Sequence, residues 1–588
     1  MAVDDPGAVL RGLTEAQLEA VTSPAAPLAV VAGAGSGKTT VLTRRVAHRI
    51  VGGTADADHS LVVTFTRKAA RELRGRLRRL AVPGPVRAGT LHGAAYGELR
   101  RYWADHELRP PGLLADPRRL LRRCLATPGE ADAALVRAVA GEIEWAGARL
   151  VDPAHYAAEA VAAGRRPPLR PVAVAAAYER YEAAKADHRL LDMNDLLRRA
   201  ADIVENDPAA AAATRWRIRH LFVDEFQDVN PAQWRLLRAW LGPSTDLFVV
   251  GDPRQAVYGW NGADAGLLDR LPQLLPGTTV LRLDDNHRST PQVVAAAAAV
   301  LDLGPDDDPA GRAGRADRAG RAVRPDGPVP AVAGFADEQA EAAAVARWLR
   351  VRHRPGTTWS QLAVLARTNA RLAPVAAALE AAGIPFRMAA SAGDSGTGAV
   401  LRLLRTAPPS RPIRSAVADL LSAGGDDEVP AATADGLRRL ADEHAVEEPG
   451  ADVSAFRRWL VATVGRRERL DGERGPDAVT LSSFHRAKGL EWPAVALVGV
   501  EAGLVPIAYA TTEAAVAEER RLFYVAVTRA EEHLWCSWAK RRADGGAVDA
   551  TASPFLAAVE AAGRDTPTTA AARTDRIADL RTRIAAAG

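Results

Sequence analysis

The segment LAVVAGAGSGKTTVL (28–42) joins a β-branched apolar run to a glycine-rich turn and then to a helix-forming stretch. A strand that ends in such a turn and opens a helix is the geometry of a phosphate-binding loop. Small residues let backbone N–H groups close around phosphate oxygens, and the helix N-terminus adds favourable partial charge. Ala32, Gly33, Ala34, Gly35, Ser36, Gly37, Lys38, Thr39 and Thr40 are the expected lining, with Ala32 in place of the pattern's first glycine. Lys38 is expected to reach the β- and γ-phosphates, and the Thr39 hydroxyl to hold Mg²⁺.

A second acidic signal supports the first. FVDEFQD (222–228) ends another apolar run. Carboxylates at the C-terminal end of a parallel strand point into the crevice where ligands bind. Asp224 suits Mg²⁺, which keeps several waters and takes few carboxylates, and Glu225 suits polarising an attacking water.

Further strand patterns fall at 61–65, 220–224, 246–250 and 280–283, then at 362–366, 478–483, 494–499 and 533–538. Alternation with helical stretches predicts an α/β chain with parallel sheets covered on both faces. At 588 residues there is room for about four domains or subdomains. Hydrophobic residues at 48% and charged residues at 25% exclude a disordered or fibrous chain. No apolar run approaches the roughly 20 residues of a membrane span, and the N-terminus lacks the apolar core of a secretion signal. Cys124 and Cys536 cannot form a disulfide framework or a four-sulfur zinc site. A cytoplasmic protein is expected. The net charge of +4 is too small to argue for nucleic acid by itself. Of 76 basic residues only Lys38, Lys68, Lys185, Lys488 and Lys540 are lysines. A surviving lysine in so arginine-rich a chain marks positions where guanidinium does not serve.

Read together, LTEAQ (13–17), AGAGSGKT, TFTRKAA (64–70), TLH (90–92), DEFQD, GDPRQAVYGWNGAD (251–264), NHRST (286–290), LARTNA (365–370), SSFHRAKGLEWP (482–493) and EERRLFYVAVTRA (518–530) span nearly the whole chain. In this order they resemble the UvrD/Rep/PcrA-type superfamily 1 DNA helicases. The resemblance implies two RecA-like P-loop lobes, each with a mainly helical insertion, and ATP between them. The expected divisions are 1–95 with 191–285 for the first lobe and 96–190 for its insertion. The second lobe is expected at 286–387 with 477–565, its insertion at 388–476, and a C-terminal tail at 566–588.

By resemblance, Gln17 reads the adenine edge, Gln255 senses the γ-phosphate, and Glu491 contacts the ribose. Arg288 and Arg529 act as cationic clamps on the transferring group. DNA-facing residues are Thr64, Phe65, Thr66, Arg67, His92, Tyr258, Trp260, Arg367 and His485, with the aromatics as stacking platforms that accept every base. Lys68 and Lys488 suit salt bridges as readily as DNA. The implied activity is ATP-dependent 3′-to-5′ translocation and unwinding at single-strand/duplex junctions, in repair or recombination. The alternative is a DNA-stimulated ATPase that displaces proteins without efficient unwinding. Departures are His287 where relatives stack a tyrosine on adenine, Arg67 for asparagine, and changes at Arg254 and Asn261. The second insertion is also about half its usual size, and no accessory C-terminal module is expected.

Overall fold

The computed structural model describes residues 6–565 apart from 115, 126–131, 303–319, 389–403, 405–406, 424–436, 439–440, 442–443, 446–449, 464–476 and 544–548. The expected C-terminal tail, 566–588, and most of the second insertion lie outside the described residues.

Two six-stranded sheets, parallel throughout, organise the chain. From edge to edge the first runs Arg87–Thr90, Ser60–Thr64, His220–Val223, Leu247–Gly251, Leu28–Ala32 and Thr279–Leu283. The second runs Ala331–Asp337, Ala530–Arg541, Trp492–Val498, Leu362–Ala366, Val479–Ser483 and Phe386–Met388. Central strands such as LVVT, LFVV and LAVLA are buried along their whole length. Helices cover both faces, so these strands read as continuous apolar runs rather than alternating ones. Three edge strands are additions to the sequence expectation: Arg87–Thr90, Ala331–Asp337 and Phe386–Met388. They are short or partly exposed, and none carries an uninterrupted run of bulky apolar residues to announce it.

Between strands Arg87–Thr90 and His220–Val223 the chain leaves for a helical insertion. Its helices Pro117–Cys124, Pro153–Ala162 and Pro171–Asp187 each open on a proline, whose fixed φ and missing N–H suit the first turn. Its own core holds Val139, Tyr156, Tyr178 and Tyr181. Lys185, one of the five lysines, is buried there against Glu182, Asp192 and Asp195 at 2.7–2.8 Å. The ammonium fills what would otherwise be an acidic metal cradle. In the second insertion the helix Val453–Thr463 brings Phe456 and Trp459 into the same apolar cluster as Tyr96 and Leu99 of the helix Leu91–Asp105. No described helix is long and apolar enough to cross a membrane.

Candidate functional site

The phosphate loop forms as the sequence dictates. Strand Leu28–Ala32 ends in the first sheet's interior and helix Lys38–Val51 begins at Gly37. Gly35 and Gly37 have φ of 71° and 86°, a region that side chains with a Cβ avoid. Gly35 is also crowded, since an added Cβ would lie 2.6 Å from both the Arg288 Cβ and the Asn286 Oδ1. The His287 N–H donates to the Gly35 carbonyl at 2.9 Å. The NHRST segment is thus pressed against the loop, with the His287 ring exposed. Lys38 Nζ donates to the Ala32 carbonyl at 3.3 Å. Burial lowers its pKa, while Glu225 and Asp252 pull the other way. The Thr39 hydroxyl makes no hydrogen bond among the described residues, which leaves it available to a cation.

Asp224 and Glu225 follow strand His220–Val223. Glu225 sits at φ 50°, a strained backbone for a residue with a side chain. Its carboxylate interacts through charge with Lys38 of the loop. Gln227 Nε2 donates to Glu225 Oε2 at 2.6 Å. Burial raises the Glu225 pKa, but Lys38, Lys488 and the Gln227 hydrogen bond outweigh it, so the carboxylate stays ionised. Asp224 goes the other way. Burial and then the neighbouring Glu225 charge push it up to about 7. Two adjacent carboxylates are therefore split in proton affinity, one a ready base and one wanting a cation. Asp224, Thr39 and the loop fit Mg²⁺ and a triphosphate on these grounds.

The second lobe closes the site. Arg288 Nε lies 2.5 Å from Glu491 Oε2, and the Arg288 guanidinium lowers the proton affinity of Lys38. Arg529 is 1% exposed. It donates to the carbonyls of Val525 (2.8 Å) and Leu490 (3.0 Å) and to Thr528 Oγ1 (3.0 Å). No carboxylate pairs with it among the described residues. Burial, and then Arg288, lowers its pKa to about 9. A buried guanidinium held only by neutral acceptors is left with desolvation that an anion would offset. Lys38, Glu225, Arg288 and Arg529 thus act on one another's charge across the two lobes.

Gln255 is buried, its Nε2 donating to Asp252 Oδ2 at 2.8 Å. Lys488 reaches from the second lobe to Asp228 Oδ2 and the Gln255 carbonyl, both at 2.6 Å. Its salt-bridge reading, rather than a DNA contact, is the one the geometry presents. Gln17 is pinned behind the loop. Its Nε2 donates to the Ser36 carbonyl at 3.0 Å and its Oε1 accepts from the Thr14 N–H at 3.2 Å. Both ends of the expected adenine reader are taken by protein in this arrangement.

Of the DNA candidates, Tyr258, Trp260 and His485 come together. Their ring centroids step by 6.4 Å from Tyr258 to Trp260 and by 6.4 Å from Trp260 to His485, with Trp260 exposed. Phe65 is half-buried against the first lobe's core. The others have partners within the protein. Thr64 is buried and its hydroxyl donates to the Thr66 carbonyl at 3.0 Å. Thr66 caps the helix Arg67–Arg79 by accepting from the Ala69 N–H. The Arg67 guanidinium faces the Trp459 ring at 4.9 Å. Arg367 is locked to Glu519 at 2.7 Å in a buried ion pair. Burial pushes His92 down to about 4, so it carries no charge for a phosphate at neutral pH.

In the sequence Arg254 stands out only as a departure from the family pattern. Its Nε donates to Asp252 Oδ1 at 3.0 Å, and its guanidinium approaches Gly33 so closely that a Cβ there would meet Nη2 at 2.5 Å. Tyr524 of the second lobe presents its ring at 5.9 Å. Arg254 therefore belongs to the nucleotide site; its only sequence signal was an unusual residue beside Gln255.

Residues 13–276 match the UvrD/REP helicase N-terminal domain and residues 459–541 the UvrD-like helicase C-terminal domain. Among similar proteins is the ATP-dependent DNA helicase UvrD2 of Mycobacterium tuberculosis, 37% identical over 609 aligned positions covering 98% of this chain and 85% of the relative. DNA helicase II of Escherichia coli is 27% identical, covering 92% of this chain and 86% of its own length. The ATP-dependent DNA helicase PcrA of Leuconostoc citreum is 26% identical, covering 93% and 85%.

Proposed function

The chain belongs to the UvrD/REP helicase family, and from that premise we propose an ATP-driven motor that moves 3′-to-5′ on single-stranded DNA. In this reading it separates strands at single-strand/duplex junctions and serves DNA repair or recombination. The observation that carries it is Arg529, a buried cation with no carboxylate partner among the described residues, on the opposite lobe from the phosphate loop and within electrostatic reach of Glu225.

Bound Mg²⁺–ATP supplies the phosphoryl group and its leaving diphosphate. Lys38 and the loop N–H groups hold the phosphates, with Thr39 and Asp224 available to the cation. Glu225 orients an attacking water and takes its proton. Arg288 and Arg529 offset charge that develops on the transferring group, which is worth most where water is excluded. Because those arginines come from the second lobe, hydrolysis requires the lobes to be together. The Tyr258–Trp260–His485 rings, built from both lobes, then feel each closure. Residues 1–95 with 191–285 and 286–387 with 477–565 are the two moving bodies in this reading.

The test is ATPase rate with and without oligo-dT, repeated at raised salt, beside strand separation on forks with a 3′ or a 5′ tail. Stimulation by oligo-dT that weakens steeply with salt is expected, with unwinding of the 3′-tailed fork alone. An ATPase indifferent to single strands contradicts the motor. Stimulation without unwinding instead favours protein displacement.

A further inference from the structure

The aromatic segment belongs to the first lobe by sequence, yet its main chain is held by the second. Three charged side chains from the second lobe grip backbone atoms. Lys488 Nζ donates to the Gln255 carbonyl at 2.6 Å, Arg521 Nε to the Ala256 carbonyl at 2.8 Å, and Glu518 Oε1 accepts from the Gly259 N–H at 3.0 Å. Val257, between these points, is fully buried in the second lobe's apolar cluster with Leu522 and Phe523. At its far end the segment returns to the first lobe, where the Asp264 N–H donates to the Val229 carbonyl at 3.1 Å.

Glu518 and Arg521 are three residues apart on the helix Glu513–Val527 and so share a face. Tyr524, which meets Arg254 over the phosphate loop, lies three residues further on. From Glu518 to Tyr524 is about 9 Å of helix axis. One rigid rod therefore touches the aromatic segment and the nucleotide loop. The approach to Gly259 is close: an added Cβ would lie 2.7 Å from Glu518 Oε2. Gly259 is not among the residues of positive φ, so space rather than backbone conformation demands glycine here.

We propose that Glu518 and Arg521 are positioning residues that make the Tyr258–Trp260 segment travel with the second lobe, with Gly259 as the seat for Glu518. Gripping carbonyl and amide groups moves the segment as a unit through its main chain. The proposal rests on the motor reading and adds the part that delivers lobe movement to DNA.

The experiment uses the full chain with Glu518→Ala, Gly259→Ala and the double variant. It measures oligo-dT-stimulated ATPase, ATP consumed per nucleotide translocated, oligo-dT affinity and the thermal midpoint. Each single variant is expected to lower stimulation at least fivefold and to raise ATP consumed per nucleotide, with oligo-dT affinity within threefold of wild type. The double variant is expected to be no worse than Glu518→Ala, because truncating the carboxylate makes room for the added methyl. A stimulated wild type with both single variants unaffected, or a double variant whose defects simply add, overturns the grip alone. A wild type without DNA stimulation overturns the motor reading and the grip with it. Loss of affinity matching the loss of stimulation makes the segment a binding element and also overturns the grip.

Discussion

The Lys488 ammonium crosses between lobes to sit 2.6 Å from Asp228 Oδ2, with both side chains almost completely buried. Asp228 closes the acidic motif, and the same ammonium holds the carbonyl of Gln255. Burial pushes the Asp228 pKa up to about 6 even with Lys488 opposing it. The tie between the lobes is therefore a buried pair whose halves depend on each other.

Lys488→Ala leaves that carboxylate buried and unpaired. The expected loss is about 3 kcal/mol of stability at pH 8 by urea unfolding. With its folded pKa above the ordinary carboxylate value, Asp228 takes a proton in the fold as pH drops. The deficit should therefore shrink below pH 6. Adding Asp228→Asn should recover much of it at pH 8. Lys488→Arg should recover less, because a planar guanidinium does not place one compact charge between two acceptors.

Asp224 carries the pH dependence. An acid with a higher pKa folded than unfolded binds protons preferentially in the fold, so its contribution to stability falls as pH rises from about 4 through 7. Asp224→Asn should abolish ATP hydrolysis yet stabilise the fold at pH 8, on the order of 1–3 kcal/mol. In the wild type the acid limb of the ATPase profile should lie near pH 7 at low Mg²⁺. It should move to lower pH as Mg²⁺ is raised, because proton and cation compete for one carboxylate.

The scaffold was legible because its information is local. A strand, a glycine turn and a helix put Lys38 at the head of the helix Lys38–Val51, and buried parallel strands announce themselves as apolar runs. Edge strands such as Ala331–Asp337, alanine-rich and broken by Gly334, lack a run of bulky apolar residues. Contacts between distant segments were also hidden. Nothing local to Arg367 says that Glu519, 152 residues further on, will claim it. Glu518 and Tyr524 stood inside a quoted motif, but their work depends on what lies across the lobe boundary. Lysine scarcity was a useful signal at Lys38, Lys185 and Lys488, where a compact charge is enclosed.

Arg254 is the residue to test for the nucleotide site beyond the motif expectations. Asp252 is fully buried, and Arg254 helps hold its carboxyl below the usual range. Arg254→Ala should lower the DNA-stimulated turnover about tenfold. Arg254→Lys should not restore it, because one ammonium cannot meet Asp252, the loop at Gly33 and the Tyr524 ring together. Steady-state kinetics at saturating oligo-dT, reporting kcat and KM separately, check this.

Single-turnover ATP hydrolysis by Arg529→Ala, at saturating oligo-dT and Mg²⁺, tests most directly whether both lobes grip one nucleotide. The account predicts a rate about 10³-fold below wild type, with ATP affinity changed less than tenfold. A hydrolysis rate within threefold of wild type would contradict it.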